Sequence, residues 1–322
     1  MEQEARIYVA GHTGLAGSAI QRALERAGYS SLVLRRHAEL ELTDARAVGE
    51  FFERERPMYV FLAAAKVGGI LANNTYPADF VQINLEIELN VVRAAWKTGV
   101  KRLLLLGSSC IYPRDCPQPM KEEYLLTGPL ESTNRAYAIA KIAGVEMCWS
   151  YNRQHGTRFL AAMPTNLFGP GDSYDLENSH VLPALLRKIH AAKQAGEREV
   201  SIWGSGTPRR EFLYSDDMAA ACVHLMRLPD EAFNRLVAPA QAPLINIGAG
   251  KDITIGELAV LIGEITGYRG EFSYDSSKPD GTPRKLLDIS RISSLGWQPA
   301  TSLREGVELA YRDFQRRFAI QA

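Results

Sequence analysis

Three glycines, each separated from the next by two residues, lie between the first two regular segments that the sequence predicts. Residues 7–10 are apolar and predict a strand, and residues 16–27 predict an amphipathic helix. Glycines allow a tight turn whose backbone N–H groups approach a diphosphate, while the positive end of the helix faces its charge. The turn therefore predicts a dinucleotide site, to which we assign Gly11, His12, Thr13, Gly14, Leu15, Ala16 and Gly17.

Short apolar segments alternate with longer amphipathic segments through the first half of the chain. Continuous apolar strands separated by helices are typical of a parallel sheet that is covered on both faces. We therefore predict an α/β fold, with a doubly wound Rossmann sheet in residues 1–170 and a smaller α/β substrate domain mainly in residues 171–322. The segment at about 212–247 is predicted to return to the first domain. The predicted strands are 7–10, 32–34, 60–64, 102–106, 159–163, 200–203 and 244–247, and the predicted helices are 16–27, 45–54, 83–97, 137–154, 181–195, 216–227, 255–266 and 303–318.

The composition is that of an ordinary globular protein, with 46% hydrophobic and 23% charged residues. Lys+Arg and Asp+Glu are equal at 37 each, so the basic excess that is typical of nucleic-acid binding is missing. The four cysteines lack the short spacing of a metal site, and we predict no bound metal. The polar N-terminal residues and the lack of a long apolar run predict a cytoplasmic protein without a membrane segment.

Two arginines follow the second predicted strand. NAD-binding sites usually carry an acidic residue at this point for the ribose 2′-hydroxyl, whereas an arginine accommodates a 2′-phosphate. Arg35 and Arg36 therefore favour NADP(H), because planar guanidinium groups match the geometry of a phosphate. Asp44 lies further along the chain and is expected to cap the next helix rather than to bind a ribose.

A tyrosine and a lysine four residues apart lie on one face of the predicted helix 137–154. The Lys141 ammonium is expected to favour tyrosinate and so to lower the pKa of Tyr137 towards neutrality. Such a tyrosine can transfer a proton to or from a sugar oxygen while a hydride moves. Ser108 follows the predicted strand 102–106, at the sheet edge where the ligands of doubly wound sheets bind.

A thiol and an imidazole are candidates for a second kind of proton transfer. Cys110 lies two positions after Ser108, and His180 lies at the start of the predicted helix 181–195. Both groups can titrate near neutral pH, so one can remove a proton beside a carbonyl while the other returns a proton from the opposite face. That exchange inverts a carbon atom. The residues alone leave open which of the two is the base and which is the acid.

The glycine turn and the order of the serine, tyrosine and lysine make the chain similar to the extended short-chain dehydrogenase/reductase family. Several longer segments, among them 107–113, 203–212 and 277–285, resemble the GDP-4-keto-6-deoxy-D-mannose epimerase/reductases of that family. The resemblance implies GDP-4-keto-6-deoxy-D-mannose as substrate, inversion of its carbons 3 and 5, and NADPH-dependent reduction of its 4-keto group to give GDP-L-fucose.

The same resemblance implies a role for each matching residue. Cys110 and His180 carry the epimerisations. Tyr137 protonates the 4-oxygen, Lys141 lowers the tyrosine pKa and holds the ribose, and Ser108 hydrogen-bonds the substrate. The residues that it places at the cofactor are Leu106, Gly107, Ser108, Ser109, Tyr137, Lys141, Pro164, Thr165, Asn166, Leu167 and His180. Those that it places at the nucleotide sugar are Lys188, Trp203, Arg210 and Asp280.

The chain departs from the family pattern in the cofactor site. Thr13 and His37 stand where many relatives carry basic residues, which leaves the two arginines after the second strand to contact a 2′-phosphate. In the substrate set, Arg210 is favoured over its neighbour Arg209, which has nearly the same spacing.

Two other functions compete with this interpretation. A 4,6-dehydratase is expected to carry an acidic pair near Ser108, and a 4-epimerase recycles bound NAD without a need for Cys110 and His180. A non-catalytic NADP-binding regulator is expected to have a broken serine, tyrosine and lysine set, whereas all three are present. In the family, the helices that match 83–97 and 137–154 form a four-helix interface, so a homodimer is expected.

Overall fold

The computed structural model describes residues 1–175, 179–278 and 280–319, and these ranges form twelve β-strands and eleven α-helices. None of these helices has the length and apolar character that a bilayer crossing requires. The strands are β1 (Ile7–Ala10), β2 (Leu32–Val33), β3 (Tyr59–Leu62), β4 (Arg102–Leu106), β5 (Phe159–Pro164), β6 (Asn166–Phe168), β7 (Glu199–Trp203), β8 (Arg209–Tyr214), β9 (Leu244–Ile247), β10 (Asp252–Thr254), β11 (Glu271–Asp275) and β12 (Arg284–Lys285). The helices are α1 (Leu15–Arg26), α2 (Ala45–Glu55), α3 (Ile70–Thr75), α4 (Pro77–Lys97), α5 (Arg135–His155), α6 (Val181–Ala195), α7 (Ser215–Arg227), α8 (Asp230–Leu236), α9 (Ile255–Thr266), α10 (Ser290–Ser294) and α11 (Leu303–Ala319).

Six parallel strands form the central sheet in the order β2-β1-β3-β4-β5-β9. One hydrophobic cluster packs α1 and α7 on one face, and a second cluster packs α2, α4 and α5 on the other. Strands β3, β4 and β5 are buried along their whole length, as a sheet covered on both faces requires. The strand order reverses between β1 and β3, so the turn after β1 opens into the crevice where such sheets bind ligands. The predicted doubly wound fold is confirmed.

A second α/β unit covers the carboxyl edge of this sheet. Its strand β8 pairs with β10, β12 and β6, while β7 pairs with β11. Helices α6, α9 and α11 enclose a separate core that includes Leu186, Leu258 and Phe314. The chain also returns to the first unit, since α7 packs on α1 and β9 becomes the sixth strand of the central sheet. The domain boundary at residue 170 stays a prediction.

The elements that the sequence did not predict are short or polar. Strand β8 begins with two arginines, and β6 has only three residues. Helix α4 begins at Pro77 rather than at residue 83, because proline is well suited to the first turn of a helix but adds nothing to an apolar periodicity. The predicted cap is confirmed, since the Asp44 carboxylate accepts hydrogen bonds from the first backbone N–H groups of α2.

Candidate active site

The glycine turn between β1 and α1 forms a cradle for a dinucleotide. A Cβ atom on Gly17 would lie 2.0 Å from the carbonyl oxygen of Gly11, so a side chain there would force the turn apart. Among the residues that the structure describes, no side chain caps the N-terminus of α1 at Gly14, which leaves its first N–H groups free. Within the described residues, the buried Nδ1 of His12 has no hydrogen-bond partner. Free backbone donors and an unpartnered polar atom fit a bound diphosphate. Thr13, Leu15 and Ala16 complete the turn.

The two arginines after β2 have different surroundings. Arg35 donates to the carboxylate of Glu55 at 2.8 Å and lies against the ring of Phe51. Arg36 is exposed, and its charge lowers the pKa of His12 in the glycine turn, an effect second to that of burial. Its guanidinium forms no hydrogen bond or ion pair with any residue in the described ranges. Arg36 is therefore the arginine that is free to bind a phosphate beside the turn.

A cavity of about 560 Å³ lies between the carboxyl ends of the central strands and the second α/β unit. Its size is in the usual range for a small-molecule site. The glycine turn and the two arginines lie outside its lining. Leu106, Gly107, Pro164 and Thr165 lie in or next to the strand ends behind it, and Lys141 on α5 is also outside the lining. The predicted site residues that line it are Ser108, Ser109, Cys110, Tyr137, Asn166, Leu167, His180, Lys188, Trp203, Arg210 and Asp280.

The tyrosine and the lysine of α5 are both present at the site, but their electrostatics differ from the prediction. Lys141 is buried, and its Nζ lies 2.9 Å from Oε1 of Glu88 on α4. Burial raises the pKa of Tyr137 well above its usual value, and the charges of Cys110 and Glu88 raise it further. The prediction that Lys141 lowers this pKa is wrong for the protein alone, because burial of the phenol has the largest effect and raises the pKa. Tyr137 is consequently a phenol.

Ser108 and Cys110 lie in the tight turn that follows β4. The backbone N–H of Cys110 donates to Oγ of Ser108 at 3.3 Å, which fixes the thiol relative to the hydroxyl. Burial raises the pKa of the Cys110 thiol, while the Lys285 ammonium and the hydrogen bond to Ser108 act in the opposite direction. Burial thus disfavours ionisation of the thiol, whereas the neighbouring cation favours it.

His180 precedes the first residue of α6 and lies on the cavity wall. Enclosure by the protein lowers its pKa, and the positive charge of Lys285 lowers it further. Lys285 belongs to β12, where it is paired in register with Arg210 of β8. The sequence assigned no role to Lys285, although it ends the segment 277–285 that resembles the family. Only the pairing of β12 with β8 brings its ammonium towards Cys110.

The nucleotide-sugar residues lie around the outer part of the cavity. The Trp203 ring is 64% exposed, and the Lys278 ammonium lies 5.6 Å from its centre. The Asp280 carboxylate accepts from the backbone N–H of Ser205 at 2.7 Å, and the Lys188 ammonium donates to a backbone carbonyl. These groups offer an aromatic face and cations at the mouth of the site.

The structure separates the two neighbouring arginines of β8. Arg210 lines the cavity, whereas Arg209 pairs with Asp252 at 2.9 Å and is absent from the lining. Alternation of side chains along a strand explains the difference, because adjacent residues point to opposite faces. The choice of Arg210 as the substrate contact stays a proposal that this placement supports.

The parallel sheet, the glycine turn and a helix that presents a tyrosine to the cavity, with a lysine one turn further along, define a nucleotide-dependent oxidoreductase of the extended short-chain type. A family model described as the NAD dependent epimerase/dehydratase family matches residues 7–242. The chain belongs to this family.

Several relatives indicate which kind of enzyme within this family the chain resembles. The chain is 54% identical to GDP-L-fucose synthase from Escherichia coli, covering 96% of each chain, and 54% identical to GDP-L-fucose synthase 1 from Arabidopsis thaliana, covering 96% of this chain and 93% of the relative. Among solved structures, a GDP-mannoheptose C4 reductase from Campylobacter jejuni with NADP bound is 39% identical, with a TM-score of 0.89 over 98% of this chain and 99% of that one. The predicted resemblance to the GDP-sugar epimerase/reductases is confirmed.

Proposed function

We propose that the chain converts GDP-4-keto-6-deoxy-D-mannose to GDP-L-fucose, by epimerisation at carbons 3 and 5 followed by NADPH-dependent reduction of the 4-keto group. The observation that carries the proposal is the convergence of three proton-transfer groups on one cavity. Cys110 comes from the turn after β4, Tyr137 from α5 and His180 from the start of α6. The GDP-L-fucose synthases that are similar over nearly the whole chain support the same reaction.

Epimerisation needs a base and an acid that act on opposite faces of the sugar ring. We assign Cys110 as the base, because the Lys285 ammonium favours a thiolate. The base removes a proton next to the 4-keto group, and His180 returns a proton from the other face. Ser108 holds the substrate oxygen and, through the backbone N–H of Cys110, also orients the thiol. The same two groups act in turn at carbons 3 and 5.

Reduction needs an acid at the 4-oxygen. NADPH supplies the hydride when it is bound, and Tyr137, which is a phenol in this site, supplies the proton. We assign Lys141 to the ribose, and Pro164, Thr165, Asn166 and Leu167 to the border of the nicotinamide. We assign the diphosphate of the cofactor to the glycine turn and its 2′-phosphate to Arg36. The nucleotide sugar is assigned to Lys188, Trp203, Arg210 and Asp280.

Incubation with GDP-4-keto-6-deoxy-D-mannose and NADPH in deuterated water tests the reaction. Mass spectrometry of the product should show two deuterons bound to carbon, and absorbance should show oxidation of one NADPH for each product molecule. The alternatives give other results: a 4-epimerase would leave NADPH unchanged, and a dehydratase would release water from the sugar. A product without deuterium would contradict the epimerase half of the proposal.

We also propose that the protein is a cytoplasmic homodimer. Leu89 on α4 and Ile139 on α5 are 49% and 40% exposed, and burial of these apolar side chains against a second copy would be favourable. A reducing compartment suits the role of Cys110 as a free thiol. Sedimentation at micromolar concentration that shows only the 35.6 kDa monomer would rule the dimer out.

A further inference from the structure

Glu88 and Lys141 form an ion pair between the two long helices of one sheet face. Glu88 lies on α4 and Lys141 on α5, and Oε1 of the carboxylate is 2.9 Å from Nζ of the ammonium. The side chains are 1% and 2% exposed, so bulk water does not screen their charges. Each charge therefore depends on the other, and loss of either partner leaves an uncompensated charge in the interior.

Helix α5 leaves room for this carboxylate. A Cβ atom on Gly144 would lie 2.5 Å from Oε2 of Glu88 and 3.0 Å from a methyl group of Leu105, so a side chain at this position would displace the glutamate. Oε2 has no hydrogen-bond partner among the described residues. The packing thus holds the carboxylate against α5, where its hydrogen bond is to Lys141.

The pair acts on the neighbouring phenol. Lys141 Nζ lies 5.7 Å from the centre of the Tyr137 ring, a distance at which an unpaired ammonium would lower the tyrosine pKa. Instead, burial raises that pKa, and the charges of Cys110 and then Glu88 contribute in the same direction. The carboxylate therefore offsets the effect of the ammonium. The titratable groups that act on Tyr137 or share its cavity are Glu88 on α4, Cys110 after β4, Glu131, Lys141 on α5, His180 before α6, Lys188 on α6, Arg210 on β8, Asp280 and Lys285 on β12.

We propose that Glu88 is a positioning residue, which holds the Lys141 ammonium and offsets its charge so that Tyr137 remains a protonated phenol until it acts. The inference rests on the proposed function, in which Tyr137 gives its proton to the 4-oxygen while carbon 4 accepts a hydride. The carbonyl then becomes a secondary alcohol, and the tyrosinate that is left regains a proton from solvent. A tyrosine that had ionised earlier would have no proton to give.

The variant Glu88→Gln keeps the shape of the side chain and removes its charge. We expect the midpoint of Tyr137 ionisation to fall by about one pH unit or more, because the ammonium then acts alone. The readout is the carbon-13 shift of tyrosine Cζ in the protein without cofactor, assigned by comparison with Tyr137→Phe. The rate of reduction should begin to fall at a correspondingly lower pH than in the wild type. The rate of deuterium exchange into the substrate should stay unchanged. An unchanged midpoint overturns the proposal.

Two further variants isolate the charge. Glu86 lies on α4 like Glu88, and we expect Glu86→Gln to leave the ionisation midpoint of Tyr137 unchanged. The double variant Glu88→Gln/Lys141→Met removes both charges and should return the midpoint close to that of the wild type. If Glu88→Gln alone does not fold, the double variant should fold, because it leaves no unpaired interior charge. A double variant less stable than both single variants contradicts the pairing.

Failure of this inference is distinguishable from failure of the proposed function. If Tyr137→Phe reduces the 4-keto sugar at the wild-type rate, the proposed proton donor is wrong. If Tyr137→Phe abolishes reduction but Glu88→Gln leaves the ionisation midpoint in place, the donor stands and the role of Glu88 is refuted.

Discussion

Two clusters of titratable groups beside the same cavity differ in whether their charges are paired. In the reducing cluster, formed by Glu88, Tyr137 and Lys141, each charge has a partner, and the phenol stays protonated. In the epimerising cluster, formed by Cys110, His180 and Lys285, the ammonium has no salt bridge within the described parts of the chain. Its positive charge favours a thiolate and disfavours an imidazolium.

The difference matches the two reactions that we propose. Reduction consumes a proton and therefore needs an acid, whereas epimerisation begins with the removal of a proton and therefore needs a base. One cavity can serve both reactions only if the pKa values of its titratable groups are shifted in different directions. The neutral ion pair beside the phenol and the unpaired cation beside the thiol provide that separation.

The most direct way to break the comparison is to remove one reactive group from each cluster. Tyr137→Phe should lower the rate of reduction by about 100- to 10,000-fold and leave deuterium exchange at carbons 3 and 5 in place. Cys110→Ser should lower the rate of that exchange by a similar factor, because a hydroxyl is a far weaker acid than a thiol. NADPH should still bind to this variant. Exchange is measured by mass spectrometry and reduction by NADPH absorbance. Equal loss of both activities in either variant would show that the clusters do not act separately.

Lys285→Gln is expected to have a smaller effect, confined to the epimerising cluster. Without the ammonium, the pKa of the Cys110 thiol rises, so exchange at neutral pH should fall about tenfold and its increase with pH should move to higher pH. The rate of alkylation of Cys110 by iodoacetamide as a function of pH reports the same thiol without substrate. A thiol that reacts with an unchanged pH profile would contradict the role of Lys285.

Two controls accompany this variant. Lys251→Gln removes an exposed lysine of the second unit and should alter neither exchange nor alkylation. The ionisation midpoint of Tyr137 should change much less than that of Cys110 in Lys285→Gln, because Lys285 is not among the charges that shift the tyrosine pKa and acts on it only through Cys110. A large change in that midpoint would mean that the two clusters are coupled.

The sequence was sufficient for the features that depend on local order. The strand, glycine turn and helix at residues 7–27 are contiguous, and the Tyr–Lys spacing fixes one helical face, so both could be predicted. Glu88 and Lys285 could not, because their roles depend on the packing of α4 against α5 and on the pairing of β12 with β8. The predicted direction of the Tyr137 pKa was wrong for a related reason: the pattern includes the lysine but not the burial of the phenol, which has the largest effect, nor the nearby charges of Cys110 and Glu88.

At the cofactor site, two adjacent arginines are equivalent by their position in the sequence but differ in their surroundings. Arg36→Gln should weaken NADPH binding by about three- to tenfold and leave NADH binding unchanged, since an exposed guanidinium contributes modestly to a phosphate contact. Arg35→Gln is the matched control. It breaks the ion pair with Glu55 and should affect stability more than cofactor preference. Fluorescence titration with both cofactors measures the difference, and a larger loss of NADPH affinity in Arg35→Gln would reverse the assignment.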